Sequence, residues 1–165
     1  MSAGAIATPA ERITVVRSLD RLAPKMREAL DAAVHDPAML LLDATVYETE
    51  RLHETAATYY KRGRPPTTEY PRPVTNAPDE TYTWHGFRLA ADIIHRDKGW
   101  DMPESWFRAM ATVCKQYGLK WGGDWKRPDF PHVQWGRCKA SPSDEARRLL
   151  RVEGIESVWR AVGAL

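Results

Sequence analysis

The sequence predicts an α+β fold, a small and mainly antiparallel sheet packed with helices and followed by a helical C-terminal extension. Three observations lead there. Apolar residues recur at helical spacing in several separate stretches, the strand-like segments between them are short, and the connections are long and rich in proline.

Leu22, Met26, Leu30 and Val34, with Ala29 and Ala33, share one helical face. Pro24 is tolerated in a first turn, so a helix is expected over residues 19–35, ended by Asp36-Pro37. Residues 38–47 are apolar with Thr45 and Val46 near their end and read as a buried strand. A second helix over 50–62 stops at Gly63. Residues 64–81 hold five prolines and no periodicity, a long surface loop of the kind that often carries function. Residues 84–94 read as a turn and then a strand. Over 103–117, Trp106, Met110, Val113 and Tyr117 share a helical face that Gly118 closes. Gly122-Gly123, Pro128 and Pro131 exclude continuous helix over 119–135, and 132–135 reads as a short strand. Ser141-Pro142-Ser143-Asp144 reads as a capping box with proline at the first helical position. The helix it starts is interrupted near Gly154 and resumes to Val162.

A chain of 165 residues fits one domain with a core of its own. Its longest apolar run, residues 38–42, is far short of the roughly 20 that span a bilayer, so no membrane insertion is expected. Residues 1–9 carry neither a basic nor an apolar leader region, which predicts a protein cytoplasmic as synthesised. Two cysteines, Cys114 and Cys138, are too few for a disulfide framework, and Cys114 falls on an apolar helix face as a buried thiol. A net charge of +2 argues against a nucleic-acid partner. The clusters Lys61-Arg62-Gly63-Arg64 and Arg147-Arg148 read as solvated faces, and most of the seven tryptophans as packing. A monomer is expected.

Two histidines and two aspartates carry the candidate chemistry. His85 precedes Asp92 by seven residues. On a helix they would stand about 10 Å apart along the axis, and on a straight strand they would face opposite ways. They converge only if the chain bends between them, which Gly86 allows, placing Asp92 in a strand and His85 at its mouth. Asp129-Phe130-Pro131-His132 adds a second histidine with a carboxylate three residues upstream. Hydrolytic zinc sites draw three ligands from His and Asp/Glu, and His85, Asp92 and His132 complete such a set. Asp129 is then free to act as general base on a water that the metal acidifies. Arg51, whose planar fork suits a carboxylate, fits an anionic peptide substrate; the plainer reading pairs it with Glu48 or Glu54 on a helix surface. Thr83 is a candidate hydrogen-bonding contact to ligand or substrate, and Asp124 reads as a structural bond to the Gly-Gly turn.

The words around these residues resemble the superfamily of D-alanyl-D-alanine carboxypeptidases and L-alanyl-D-glutamate endopeptidases, the VanY-like zinc peptidases, and especially its phage endolysin branch. The first motif, Ser-x-His-x-x-Gly-x-Ala-x-Asp, appears as Thr83-Trp84-His85 through Ala90-Ala91-Asp92. The second appears as Gly118-Leu119-Lys120-Trp121-Gly122-Gly123-Asp124-Trp125, then Asp129-Phe130-Pro131-His132-Val133-Gln134. Glu48, Arg51, Gly63 and Arg64 match an upstream pattern, so the likeness spans residues 38–135. It implies a zinc site in a cleft on the sheet with ligands His85, Asp92 and His132, a catalytic Asp129 and a substrate-carboxylate contact at Arg51. It also implies a peptidoglycan stem peptide as substrate. A catalytic domain is expected over 1–140, and residues 141–165, outside the motifs, are expected to pack on it. L-alanyl-D-glutamate endopeptidase activity follows from branch resemblance, with D-alanyl-D-alanine carboxypeptidase activity as the alternative; the lack of a leader region over residues 1–9 leads to the expectation of a phage or prophage endolysin released to the wall. Thr83 replaces the family serine, the spacer after Trp125 is one residue short, and Arg88 stands where the family has glycine. Arg88 is expected to crowd the bend near the metal or to add a substrate contact. It keeps open a non-catalytic module that binds wall peptides, against which the retained ligands and Asp129 argue.

Overall fold

The computed structural model of the chain describes residues 13–165, so the reading of residues 1–9 lies outside it. Strands β1 (Ala44–Glu48), β2 (Ala90–His95), β3 (Leu119–Trp121) and β4 (His132–Trp135) form one sheet, in the order β1-β2-β4-β3, with every neighbouring pair antiparallel. Around it run α1 (Pro24–Val34), α2 (Pro37–Leu41), α3 (His53–Lys61), α4 (Glu104–Gln116), α5 (Asp144–Glu153) and α6 (Ile155–Ala161). This is the α+β class expected.

Several boundaries differ from the sequence reading. Helix α1 begins at Pro24, because the preceding residues close a turn in which Leu22 N–H bonds the Leu19 carbonyl. Residues 38–47 are not one strand. Asp36 caps the short helix α2, its Oδ1 accepting from Ala38 N–H at 2.8 Å, with Pro37 at the first helical position. Only residues 44–48 extend. Helix α3 starts at His53 rather than at residue 50, since Glu48 pairs with β2 and Arg51 turns back onto Glu48. The cap of α5 is Ser143, whose hydroxyl accepts from Ala146 N–H at 3.1 Å, and not Ser141. Gly154, at φ +88°, separates α5 from α6.

The core forms where Met26, Leu30 and Ala33 of α1 meet Phe107, Met110, Ala111 and Val113 of α4 and Leu89, Ile93, Trp121 and Val133 of the sheet region. Cys114 and Cys138 are buried free thiols, each pushed up to about 12 by burial and hence inert. No helix among the described residues is long and apolar enough to cross a membrane.

Tryptophans do much of the joining. Trp84, Trp106, Trp121, Trp135 and Trp159 each donate an indole N–H to a backbone carbonyl of a distant segment. Two of these bonds, Trp159 to Phe87 and Trp135 to Val162, tie the C-terminal helices to the body, and Lys25 N–H bonds the Ala164 carbonyl. The Trp159 bond lands on the turn that carries His85. Trp159→Ala is expected to cost about 3–5 kcal/mol, read as a lower urea midpoint at unchanged slope. A loss below about 1 kcal/mol would show that the extension is not integral to the domain.

Candidate metal centre

Strand register sets the centre out in a row. Glu48 of β1 faces Asp92 of β2, and Asp92 faces His132 of β4. Directly opposed residues in antiparallel strands carry side chains on the same face, so three polar groups stand abreast across the sheet. His85 joins them from the turn before β2. There Gly86, Phe87 and Arg88 N–H groups bond the carbonyls of Thr83, Trp84 and His85, a single helical turn. The expected bend is therefore present, but its left-handed residue is Arg88, at φ +59°, and not Gly86. Gly86 supplies room instead: a Cβ there would lie 2.0 Å from the Glu80 carbonyl oxygen. A left-handed residue costs an L-amino acid about 1 kcal/mol, a cost that glycine would not carry. The Arg88 guanidinium bonds Glu50 at 2.9 Å, not a residue of the row.

Three donor atoms converge. His85 Nε2 and His132 Nδ1 are 3.2 Å apart, and Asp92 Oδ1 lies 3.3 Å from the first and 3.5 Å from the second. Zinc bonds of about 2.0–2.1 Å in a tetrahedron require ligand-to-ligand edges of about 3.3–3.4 Å, so the triangle already has metal-site dimensions. These three residues form a group able to hold a metal ion.

The far side of each ring fixes its protonation. His85 Nδ1 lies 2.7 Å from the Thr49 carbonyl oxygen, which only accepts, so Nδ1 holds the proton and Nε2 presents a lone pair. His132 Nε2 lies 2.9 Å from Gln134 Oε1, while the Gln134 amide donates to the Lys139 carbonyl at 2.7 Å. That bond turns Oε1 toward His132 and leaves Nδ1 as the free lone pair. Two lone pairs and a carboxylate oxygen then meet with no donor between them, an arrangement that needs a cation. Asp92 is held well below the usual carboxylate range by the two histidines, although burial opposes this. Burial lowers His132, but its bond to Asp92 and the charges of Asp92 and Asp129 outweigh it and raise its pKa.

The other candidates surround the triangle. Arg51 closes two bonds on buried Glu48, Nε to Oε1 at 2.9 Å and Nη2 to Oε2 at 3.0 Å, and Nη2 lies 3.6 Å from Asp92 Oδ2. Its Nη1 has no protein partner among the described residues. Asp129 lies on the loop before β4, its N–H bonded to the Gly122 carbonyl. A Cβ on Gly122 would come within 2.6 Å of the Asp129 carbonyl oxygen, so this glycine lets the loop close. Withdrawal from water and the Asp92 charge raise the pKa of Asp129, while His132, His85 and Arg51 pull it back. The Thr83 hydroxyl lies 3.4 Å from His85 N–H. Asp124 pairs with Lys115 rather than with the Gly-Gly turn. Trp125 packs against His132, ring centroids 4.9 Å apart.

Sequence reasoning missed the roles of Thr49 and Gln134. Gln134 carried a usable signal, since two residues beyond His132 on a strand is the same face. The Thr49 carbonyl carried none, because any residue supplies one.

A family model described as D-alanyl-D-alanine carboxypeptidase matches residues 77–135, which include all three donors and Asp129. Over 126 residues, 68% of this chain and 72% of the relative, the sequence is 31% identical to the peptidoglycan L-alanyl-D-glutamate endopeptidase CwlK of Bacillus subtilis (strain 168). Among solved structures, the L-Ala D-Glu endopeptidase ChiX of Serratia marcescens shares the fold. Its TM-score is 0.52 at 19% identity, covering 76% of this chain and 90% of that one. The motifs, the fold and the His-Asp-His group agree with these likenesses: the chain belongs to the VanY-like superfamily of D-alanyl-D-alanine carboxypeptidases and L-alanyl-D-glutamate endopeptidases.

Proposed function

We propose that this protein is a zinc-dependent peptidase that cuts the L-alanyl-D-glutamate bond of the peptidoglycan stem peptide. The observation that carries the metal dependence is the triangle of two imidazole lone pairs and the Asp92 oxygen, sized for a small divalent cation and lacking a donor. Two nitrogens and a carboxylate oxygen suit zinc, and three protein ligands leave a position open, the pattern of catalytic rather than structural sites. The choice of bond rests on the likeness to CwlK. The match to a carboxypeptidase family model makes D-alanyl-D-alanine cleavage the second reading. An endolysin role for the enzyme follows from the phage-branch resemblance of its motifs.

Zinc bound to His85, Asp92 and His132 would supply Lewis acidity toward the scissile carbonyl and lower the pKa of the attacking water. Asp129 takes that water's proton and passes it to the leaving amine; its raised pKa brings it nearer the working pH of a base that must also release a proton. Arg51, clamped by Glu48, steadies Asp92 and offers Nη1 to the substrate. Thr83 holds the turn that presents His85 and lines the approach to it. A module that only bound peptides would have no use for Asp129.

Two outcomes follow. Gln134→Leu removes the acceptor that sets the His132 tautomer and is expected to weaken zinc binding about 10–100-fold, measured by competition with a chromogenic chelator; an unchanged affinity would contradict the tautomer argument. Zinc-loaded wild type digesting purified peptidoglycan should leave L-alanine carboxyl ends on the glycan and free D-glutamate amino ends, read by mass spectrometry, and Asp129→Ala should lower the rate by at least about 100-fold while keeping its zinc. Release of terminal D-alanine alone would move the assignment to the carboxypeptidase, and no cleavage by zinc-loaded wild type would sink the enzyme reading.

A further inference from the structure

Arg62 belongs to the basic cluster that sequence analysis left as a solvated face. Its guanidinium stands 5.4 Å from the Tyr59 ring centroid and 5.1 Å from that of Tyr70, a cation held on two aromatic faces. No carboxylate pairs with it among the described residues. The backbone is fixed on both sides: Arg62 N–H bonds the Thr58 carbonyl, and its own carbonyl accepts from Val74 N–H. Gly63 beside it is packed so closely that a Cβ would meet the Arg72 carbonyl oxygen at 2.0 Å. The proline-rich loop is thus folded back over this residue.

Tyr59 links Arg62 to the metal centre. The Arg51 guanidinium lies 4.9 Å from the same ring, so the two guanidinium carbons are within about 10 Å of each other. The Tyr59 hydroxyl lies 3.5 Å from Glu48 Oε2. The two arginines differ in what they have left to offer. Arg51 is already matched by Glu48 and Asp92. Arg62 lies over two aromatic rings and, among the described residues, its guanidinium N–H groups are unmatched, which leaves its fork free to bind a carboxylate.

We infer that Arg62 is a specificity-determining residue that binds the free α-carboxylate of the γ-linked D-glutamate on the leaving side of the scissile bond. The inference rests on the proposed stem-peptide reaction. A γ-linked glutamate carries that carboxylate on the carbon that bears the leaving nitrogen, and Arg51, with Nε and Nη2 committed to Glu48 and Asp92, has only Nη1 left to offer it. Confinement between Tyr59 and Tyr70 lowers the entropy lost when the bond forms.

The test compares two synthetic peptides, N-acetyl-L-alanyl-γ-D-glutamyl-L-lysine and the same peptide with that α-carboxylate amidated, under zinc-loaded wild type, Arg62→Gln and Arg62→Lys. Wild type should favour the acidic peptide by about tenfold or more in kcat/KM. In Arg62→Gln the preference should fall to within about twofold, mainly through KM, and Arg62→Lys should keep an intermediate preference. Thermal melts confirm that each variant is folded. Equal loss on both peptides, or a preference that survives Arg62→Gln, overturns the inference and leaves the peptidase reading standing. Cleavage of neither peptide by wild type overturns both.

Discussion

Everything at the centre depends on holding two imidazole lone pairs and a carboxylate oxygen within 3.5 Å of one another. That arrangement repels itself unless a cation is present, so the fold must impose it. It does so through acceptors behind the rings, the Thr49 carbonyl and Gln134 Oε1, and through strand register, which sets Asp92 opposite His132. Thr49 is itself anchored, its N–H and hydroxyl bonded to the carbonyls of Val16 and Ser18. The N-terminal segment therefore reaches the metal centre through one backbone oxygen.

Around the triangle the chain accepts unfavourable local terms for geometry. Glu48 is 1% exposed, and its charge is tolerable only because Arg51 meets it with two bonds. Removing one partner of such a pair typically costs 3–5 kcal/mol, so the pair is a scaffold for Asp92 as much as a surface for substrate. Arg88 adopts a left-handed backbone that glycine would take freely, and its side chain recovers part of that cost in the bond to Glu50. The bend holds with arginine at this position.

Much of this was legible in the sequence. The donors could be named because residue type and motif spacing are local facts, and α4 because Trp106, Met110 and Val113 repeat over one face. Residues 38–42 misled because apolar runs of that length do not distinguish strand from helix; the cap at Asp36 decided it. The bend between His85 and Asp92 was inferred from their need to converge, yet the residue carrying it is an arginine, which no propensity favours at positive φ. The commitment of Arg51 to Glu48, and the stacking of Arg62 between Tyr59 and Tyr70, depend on tertiary packing of the proline-rich loop, and spacing alone carries no signal for either.

X-ray absorption at the zinc edge of the zinc-loaded protein tests the central claim most directly. Two imidazole nitrogens and one carboxylate oxygen at about 2.0–2.1 Å, with one imidazole lost in His132→Ala, is the predicted result. A shell containing sulfur at about 2.3 Å, or one unchanged in that variant, would place the metal elsewhere and contradict the account.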